Sequence, residues 1–250
     1  MIAGFAVFYL LVLVRILAFF SMMPLFDQKR IPAMWKVAVG VLFTIIVIPM
    51  LTPIPFTVNV VWIAFAVLWE AVLGFCFGMV FTTAVGAVLS AGSLVDMQMG
   101  FANAGILNPG GEQPEPLIAS FMKTLFMLSC LVGSAHLAMV RILLEGFHWF
   151  PVGAVLHRFQ TVAQMGMALI GQFFTSILWL VLPICLALLA SEICIAFLSR
   201  LIPQMNMLIS AAPIRSLAGL MLVTFTLPFI LESMSDVMTA HFQIGASLGV

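Results

Sequence analysis

The stretch from Val60 to Pro116 constrains this chain more than any other. Its first part, Val60 to Asp96, is one apolar run, VVWIAFAVLWEAVLGFCFGMVFTTAVGAVLSAGSLVD. Its second part, QMGFANAGILNPGGEQPEP, is a polar, Gly/Pro-rich break, the only long stretch of its kind in the sequence. A spanning helix needs about 20 apolar residues, and the first part is nearly twice that. It either folds back once or continues as one very long helix. A small residue recurs in it at every fourth position: Gly74, Gly78, Thr82, Gly86 and Ser90. Four residues turn a helix by about 400°, so this stripe winds slowly around the helix. Small residues let another backbone approach closely, the small-xxx-small packing of apolar helices. Burial in a bundle formed by this chain explains the stripe; reception of a neighbouring subunit's helix explains it as well.

The whole chain is built like this stretch. Of its 250 residues 64% are hydrophobic and 7% charged, with a mean hydropathy of +1.26. A soluble domain carries about 25% charged residues, so this protein lives in lipid or inside an assembly that covers it. Net charge is zero and no basic block occurs, which leaves nucleic-acid binding without a footprint. Cys76, Cys130, Cys185 and Cys194 all lie in apolar runs without a CxxC pair. They read as small buried apolar residues and indicate neither a metal site nor a disulfide framework. The start, MIAGFAVFYLLVLVRILAFF, lacks a charged n-region, carries Arg15 within the apolar run and offers no small-residue cleavage site. It reads as a first helix rather than a signal peptide.

In chain order, a first helix is expected over Ile2 to Phe26. A charged turn with Lys29 and Arg30 follows, and then a short second run over Val37 to Met50, closed by Pro49, Pro53 and Pro55. Beyond the polar break a single helix is expected from Pro116 to Leu144, ended by HWFPVG. A fifth region runs from Val162 to Leu201 and is expected to be interrupted at Pro183. A sixth runs from Met207 to Ile230, before a milder tail with helical character. Lys29, Arg30 and Lys36 favour a cytoplasmic first loop. Runs of such unequal length do not make six uniform spans. Broken apolar elements at membrane depth must be covered by protein, so the pattern argues for partner subunits.

Charged residues interrupt these runs. Arg15, Lys123 and Arg200 lie where a long side chain reaches water, whereas Glu70 and Glu192 do not and call for partners on other helices. Arg141 and Glu145 are spaced for a pair on one helix. No HExxH motif, Ser/His pair, phosphate-cradling loop or nucleophile elbow occurs. His136, His148, His157 and His241 are scattered. The sequence therefore suggests no enzyme, no cofactor and no metal. Most of the 18 methionines are packing residues; Met97 and Met99, next to the polar break, also suit a deformable seal.

Seven segments, in order, resemble one family: ILAFFSMMPLF, RIPAMWKVAVG, WEAVLGFCFGMVF, LVDMQMGFANAGILNPG, SAHLAMVRILLEGFHWFPVG, LPICLALLASEICIAFLSRLIPQMN and AAPIRSLAGLM. Together they resemble the FliR/SctT family, the R-type export-gate subunits of flagellar and virulence type III secretion. The likeness covers nearly the whole chain. It implies an all-α fold of hydrophobic helical hairpins with long and broken helices, built into a helical multi-subunit assembly. A P-like part, residues 1–160, would be followed by a Q-like two-helix hairpin and tail, residues 161–250. The implied partners are FliP-like, FliQ-like and FlhB-like subunits and the unfolded secreted proteins, in the basal body at the bacterial inner membrane.

The resemblance also assigns roles to residues. The loop after QMG, with Phe101, Asn103, Asn108, Pro109, Gly110, Gly111 and Glu112, would act as a plug that helps close the pore. The family often has Asp-Pro where this chain has Asn108-Pro109, so no acidic role is carried over to that position. Gly74, Gly78, Thr82, Gly86, Ser90 and Glu192 would pack helices or subunits. Arg200, Pro203, Gln204 and Asn206 would form the turn of the Q-like hairpin at the cytoplasmic entrance, where an ordinary helix-turn cap is the plainer reading. The SAHLAMVRILLEGFHWFPVG segment leans toward the flagellar branch. The alternative function is a self-sufficient polytopic transporter for a small solute, using Glu70, Glu192 and Arg215 at mid-membrane. Such transporters often show an internal repeat, and none is evident.

Overall fold

The computed structural model describes residues 2–24, 32–51, 59–101, 116–156, 158–201 and 207–247. Among them the regular structure is helical, with no strand. The helices are α1 (Ile2–Met22), α2 (Ala33–Val47, extended by a 3-10 turn at Ile48–Met50), α3 (Val60–Met99), α4 (Leu117–Val132), α5 (Ala135–Trp149), α6 (Phe159–Leu201) and α7 (Met207–Ala246). Helices α1, α3, α6 and α7 each contain a segment long and apolar enough to cross a membrane.

The long apolar run is thus one helix of 40 residues. Three sequence expectations need correction. The helix expected from Pro116 to Leu144 is two helices, because Gly133 closes α4 by donating its N–H to the Ser129 carbonyl at 2.8 Å. Ser134 then sits in the left-handed region at φ 58°, which stops helical propagation. Pro183 does not interrupt α6, and α7 runs through Pro213 and Pro228 to Ala246. A proline removes one N–H from the helical ladder, and apolar helices tolerate that loss where neighbouring groups satisfy the freed carbonyl. Arg15 does not reach water at all; it is completely buried.

The chain divides into two compact units. The first comprises residues 1–83, 134–172 and 239–250; the second comprises 84–133 and 173–238. In the first unit, α1 lies in the groove offered by the start of the small-residue stripe. A Cβ on Gly74 would collide with the Arg15 carbonyl oxygen and with Ala18 Cβ at 2.7 Å. One on Gly78 would come within 2.6 Å of Met22 Cβ and 3.0 Å of the Phe19 carbonyl oxygen. Thr82 completes the contact by donating its hydroxyl to the Met22 carbonyl. Gly146 of α5 does for an aromatic ring what these residues do for a helix: its missing Cβ leaves room for Phe77, 2.5 Å from where that atom would be. Phe77 in turn meets Phe150 edge to face at 6.2 Å.

In the second unit, Ala84, Val88, Ala91 and Val95 of α3 form one buried face, with Ala119, Met122 and Phe126 of α4 also in the core. Gly92 lets the two helices touch backbone to backbone, 2.9 Å from its absent Cβ to the Ala119 nitrogen. Gly86, further along the stripe, lies beside Phe173 of α6, whose ring edge is 3.4 Å from the absent Cβ. The winding stripe explains this change of partner. Each four-residue step drifts by about 40°, so positions that begin by facing α1 end by facing another helix.

Replacing Gly78 by Leu drives a bulky side chain into the α1 backbone. Overpacking of this kind costs about 1–3 kcal/mol. The expected result is a lower unfolding midpoint for the purified chain and weakened recovery in complexes, with Gly4→Leu, where open space surrounds the Cβ, as the unaffected control.

Candidate functional site

Two arrangements of polar groups stand out in an otherwise apolar molecule. The first centres on Arg15 and Glu70, both with fully buried side chains. The Arg15 Nε–H donates to Glu70 Oε2. Its Nη1 donates to the carbonyl oxygens of Phe150 at 2.9 Å and Gly146 at 3.4 Å, and the guanidinium lies 4.5 Å from the centre of the Phe147 ring. Glu70 Oε1 accepts the Gly153 N–H at 2.8 Å. The last carbonyls of a helix have no intrahelical partner, and a cation at that end also meets the negative pole of the helix dipole. Arg15 therefore caps the C-terminus of α5 from another helix. Glu70 neutralises the arginine and ties down the turn at Gly153, whose φ of 82° suits a glycine.

The second arrangement gathers around the two ends of the polar break. Pro116 sits at the N-cap position of α4 and gives it no side-chain cap. The carboxylate of Asp96, buried in α3, takes over: Oδ1 accepts the Ile118 N–H and Oδ2 the Ala119 N–H, each at 3.0 Å. These are the N2 and N3 amides that a capping side chain normally satisfies, and a carboxylate there is further favoured by the helix dipole. On the other side α3 ends at Met99. Gly100, at φ 84°, folds its N–H back to the Met97 carbonyl at 3.1 Å. The Met99 carbonyl accepts the Ser216 hydroxyl at 3.2 Å. The Met99 side chain is wholly buried against Gly219, where an added Cβ would lie 2.5 Å from its Cγ. Both ends of the break are thereby anchored in the second unit.

These contacts sort the residues singled out from sequence. Phe101 is described and half-buried. Asn103, Asn108, Pro109, Gly110, Gly111 and Glu112 lie outside the described residues, as do Pro203, Gln204 and Asn206 of the hairpin turn. Arg200 is exposed near the end of α6. Gly74, Gly78 and Thr82 face α1, Gly86 faces Phe173, and Ser90 is half-buried. Glu192 meets Arg215 of α7 at 3.2 Å. Of the two methionines next to the break, Met97 is exposed and Met99 is core. Arg141 and Glu145 make no ion pair with each other.

Sequence reading missed Asp96 as a cap, Gly92 and Gly219 as close-approach points, and the partnership of Arg15 with Glu70. The bare signals existed: an isolated acid just before the break, and isolated glycines in apolar helices. Their partners lie 22 to 120 residues away along the chain, beyond the reach of any local pattern. Among the described residues no group of three or more His, Cys, Asp or Glu side chains is placed to hold a metal ion.

The family model described as bacterial export proteins, family 1, matches residues 6–241. The flagellar biosynthetic protein FliR of Pectobacterium carotovorum is 33% identical over 224 residues, covering 87% of this chain and 83% of its own. The FliR of Escherichia coli is 25% identical over 240 residues, 94% of this chain and 90% of its own. The Yop proteins translocation protein T of Yersinia pestis is 32% identical over 162 residues, 62% of this chain and 60% of its own.

Replacing Asp96 by Ala leaves the Ile118 and Ala119 amides unpaired in a buried setting. Losing a cap costs about 0.5–2 kcal/mol. Amide hydrogen exchange in the first turn of α4 is expected to accelerate several-fold. Glu70→Ala, which strands the buried Arg15 charge, is expected to cost about 3–5 kcal/mol and to abolish stable accumulation of the chain in membranes.

Proposed function

Because this chain belongs to the bacterial export proteins, family 1, is similar to flagellar FliR and to the Yersinia translocation protein T, and is thus a component of a type III export apparatus, we propose that it is the R-type subunit of the export gate. In this reading it is a non-enzymatic subunit that forms part of the pore wall for unfolded substrates. It assembles with FliP-like and FliQ-like subunits, and with a FlhB-like subunit, at the bacterial inner membrane. Residues 1–160 supply the P-like part and 161–250 the Q-like hairpin, whose turn at Arg200, Pro203, Gln204 and Asn206 faces the cytoplasmic entrance. The loop from Phe101 to Glu115 helps close the pore. The flagellar branch is favoured, since flagellar relatives cover 83% or more of this chain in the stronger matches and the Yersinia relative 62%.

The observation that carries the closing role is the anchoring of both ends of that loop. Asp96 fixes the start of α4, and Ser216 with Gly219 fixes the end of α3. A closing element needs fixed ends and a permissive middle, and Gly110 and Gly111 provide permissive backbone. Large apolar side chains on the outside support the assembly. Met34, Phe225 and Val132 are each at least 80% exposed, far from the mixed polar surface of a self-sufficient soluble protein. The small-solute transporter is the weaker reading, because its candidate groups are already engaged. Glu70 is consumed by Arg15 and Gly153, and Glu192 by Arg215.

Deleting Asn108 to Glu112 is expected to leave the subunit assembled but to make cells leaky to small solutes. An intact complex with no added leak would remove the closing role.

A further inference from the structure

The ion pair between α6 and α7 adjoins the contacts that hold the end of α3. Glu192 Oε1 lies 3.2 Å from Arg215 Nε, with each side chain 32% exposed. The next residue, Ser216, donates its hydroxyl to the Met99 carbonyl at 3.2 Å. One turn after Arg215, on the same side of α7, Gly219 leaves the notch that receives the Met99 side chain. That carbonyl is among the last of α3 and has no partner within its own helix; Ser216 supplies one.

This seat depends on the register of α7. Sliding one residue moves a helix by about 1.5 Å and turns it by about 100°. Leu217 would then replace Ser216, or Leu220 would replace Gly219. The first loses the donor, and the second fills the notch. Contacts between apolar faces do not fix a register strongly, because one leucine packs much like another. A charge pair does more to fix it, since misalignment separates each charge from its partner.

We infer that Glu192 and Arg215 are positioning residues for export: their pair sets the register of α7 against α6 and, through Ser216 and Gly219, holds the end of α3 in its seat. This rests on the reading of the chain as an export-apparatus subunit.

The test uses the full-length chain, expressed in place of the native copy in a secreting strain and also purified for hydrogen exchange. The variants are Arg215→Gln, Glu192→Gln, Ser216→Ala and the exchanged pair Glu192→Arg with Arg215→Glu. Losing one such contact shifts a two-state equilibrium about fivefold. Exchange across residues 94–101 is expected to accelerate by about that factor in the three single variants, with export reduced. The exchanged pair is expected to restore both, which a loss of bulk stability would not do. Unchanged exchange in Arg215→Gln, or faster exchange with full export, overturns the inference, as does failure of the exchanged pair while it still accumulates to the wild-type level. If removing the whole chain leaves export intact, it is the underlying export reading that fails.

Discussion

A buried charge needs its counter-charge, and in this molecule that requirement fixes the first unit. Arg15 and Glu70 are both fully buried, in a setting where a lone ion would cost several kcal/mol. Each is also hydrogen-bonded to backbone: Arg15 to the carbonyls closing α5, and Glu70 to the amide of Gly153. The pair therefore joins α1, α3 and the end of α5 with a direction built in. The donor must be on α1 and the acceptor on α3, because the groups they serve accept and donate in that order. The aromatic contacts of Phe77, Phe147 and Phe150 pack around this arrangement.

The same logic recurs in the second unit with weaker parts. An apolar environment offers no water to a helix end, so each exposed amide or carbonyl must find a protein partner. Asp96 satisfies the start of α4, and Ser216 the end of α3. Close approach is made possible by glycine: Gly92 against Ala119, and Gly219 against Met99. Where lipid removes the hydrophobic driving force between helices, such small residues and cross-helix hydrogen bonds supply most of the specificity.

Much of the fold was legible in the sequence because it is governed by length and hydropathy. The apolar character of the first, third, sixth and seventh helices follows from uninterrupted runs, while the third run left open a single fold-back or one long helix, and the all-helical class came with the family resemblance. The winding of the stripe from Gly74 to Gly86 also followed from helical geometry. Helix ends were less legible. A break was expected at Pro183, yet α6 passes through it, while the unremarked Gly133-Ser134 pair makes a real one. The site was the least legible part. Asp96 acts on Ile118 and Arg15 on Glu70, and no local pattern joins residues so distant in sequence. The order of motifs pointed to the export family, and the match over residues 6–241 agrees with it. The roles given to individual residues depend on partner surfaces that a single chain does not contain.

We propose that this chain is a structural part of an export pore; its long apolar helices carry large exposed hydrophobic side chains. The most direct measurement is co-expression of the tagged chain with the P-like and Q-like subunits encoded beside it, followed by purification and native mass determination. The account predicts one discrete complex containing all three subunits. A chain that purifies as a stable, well-behaved species and associates with neither would contradict it.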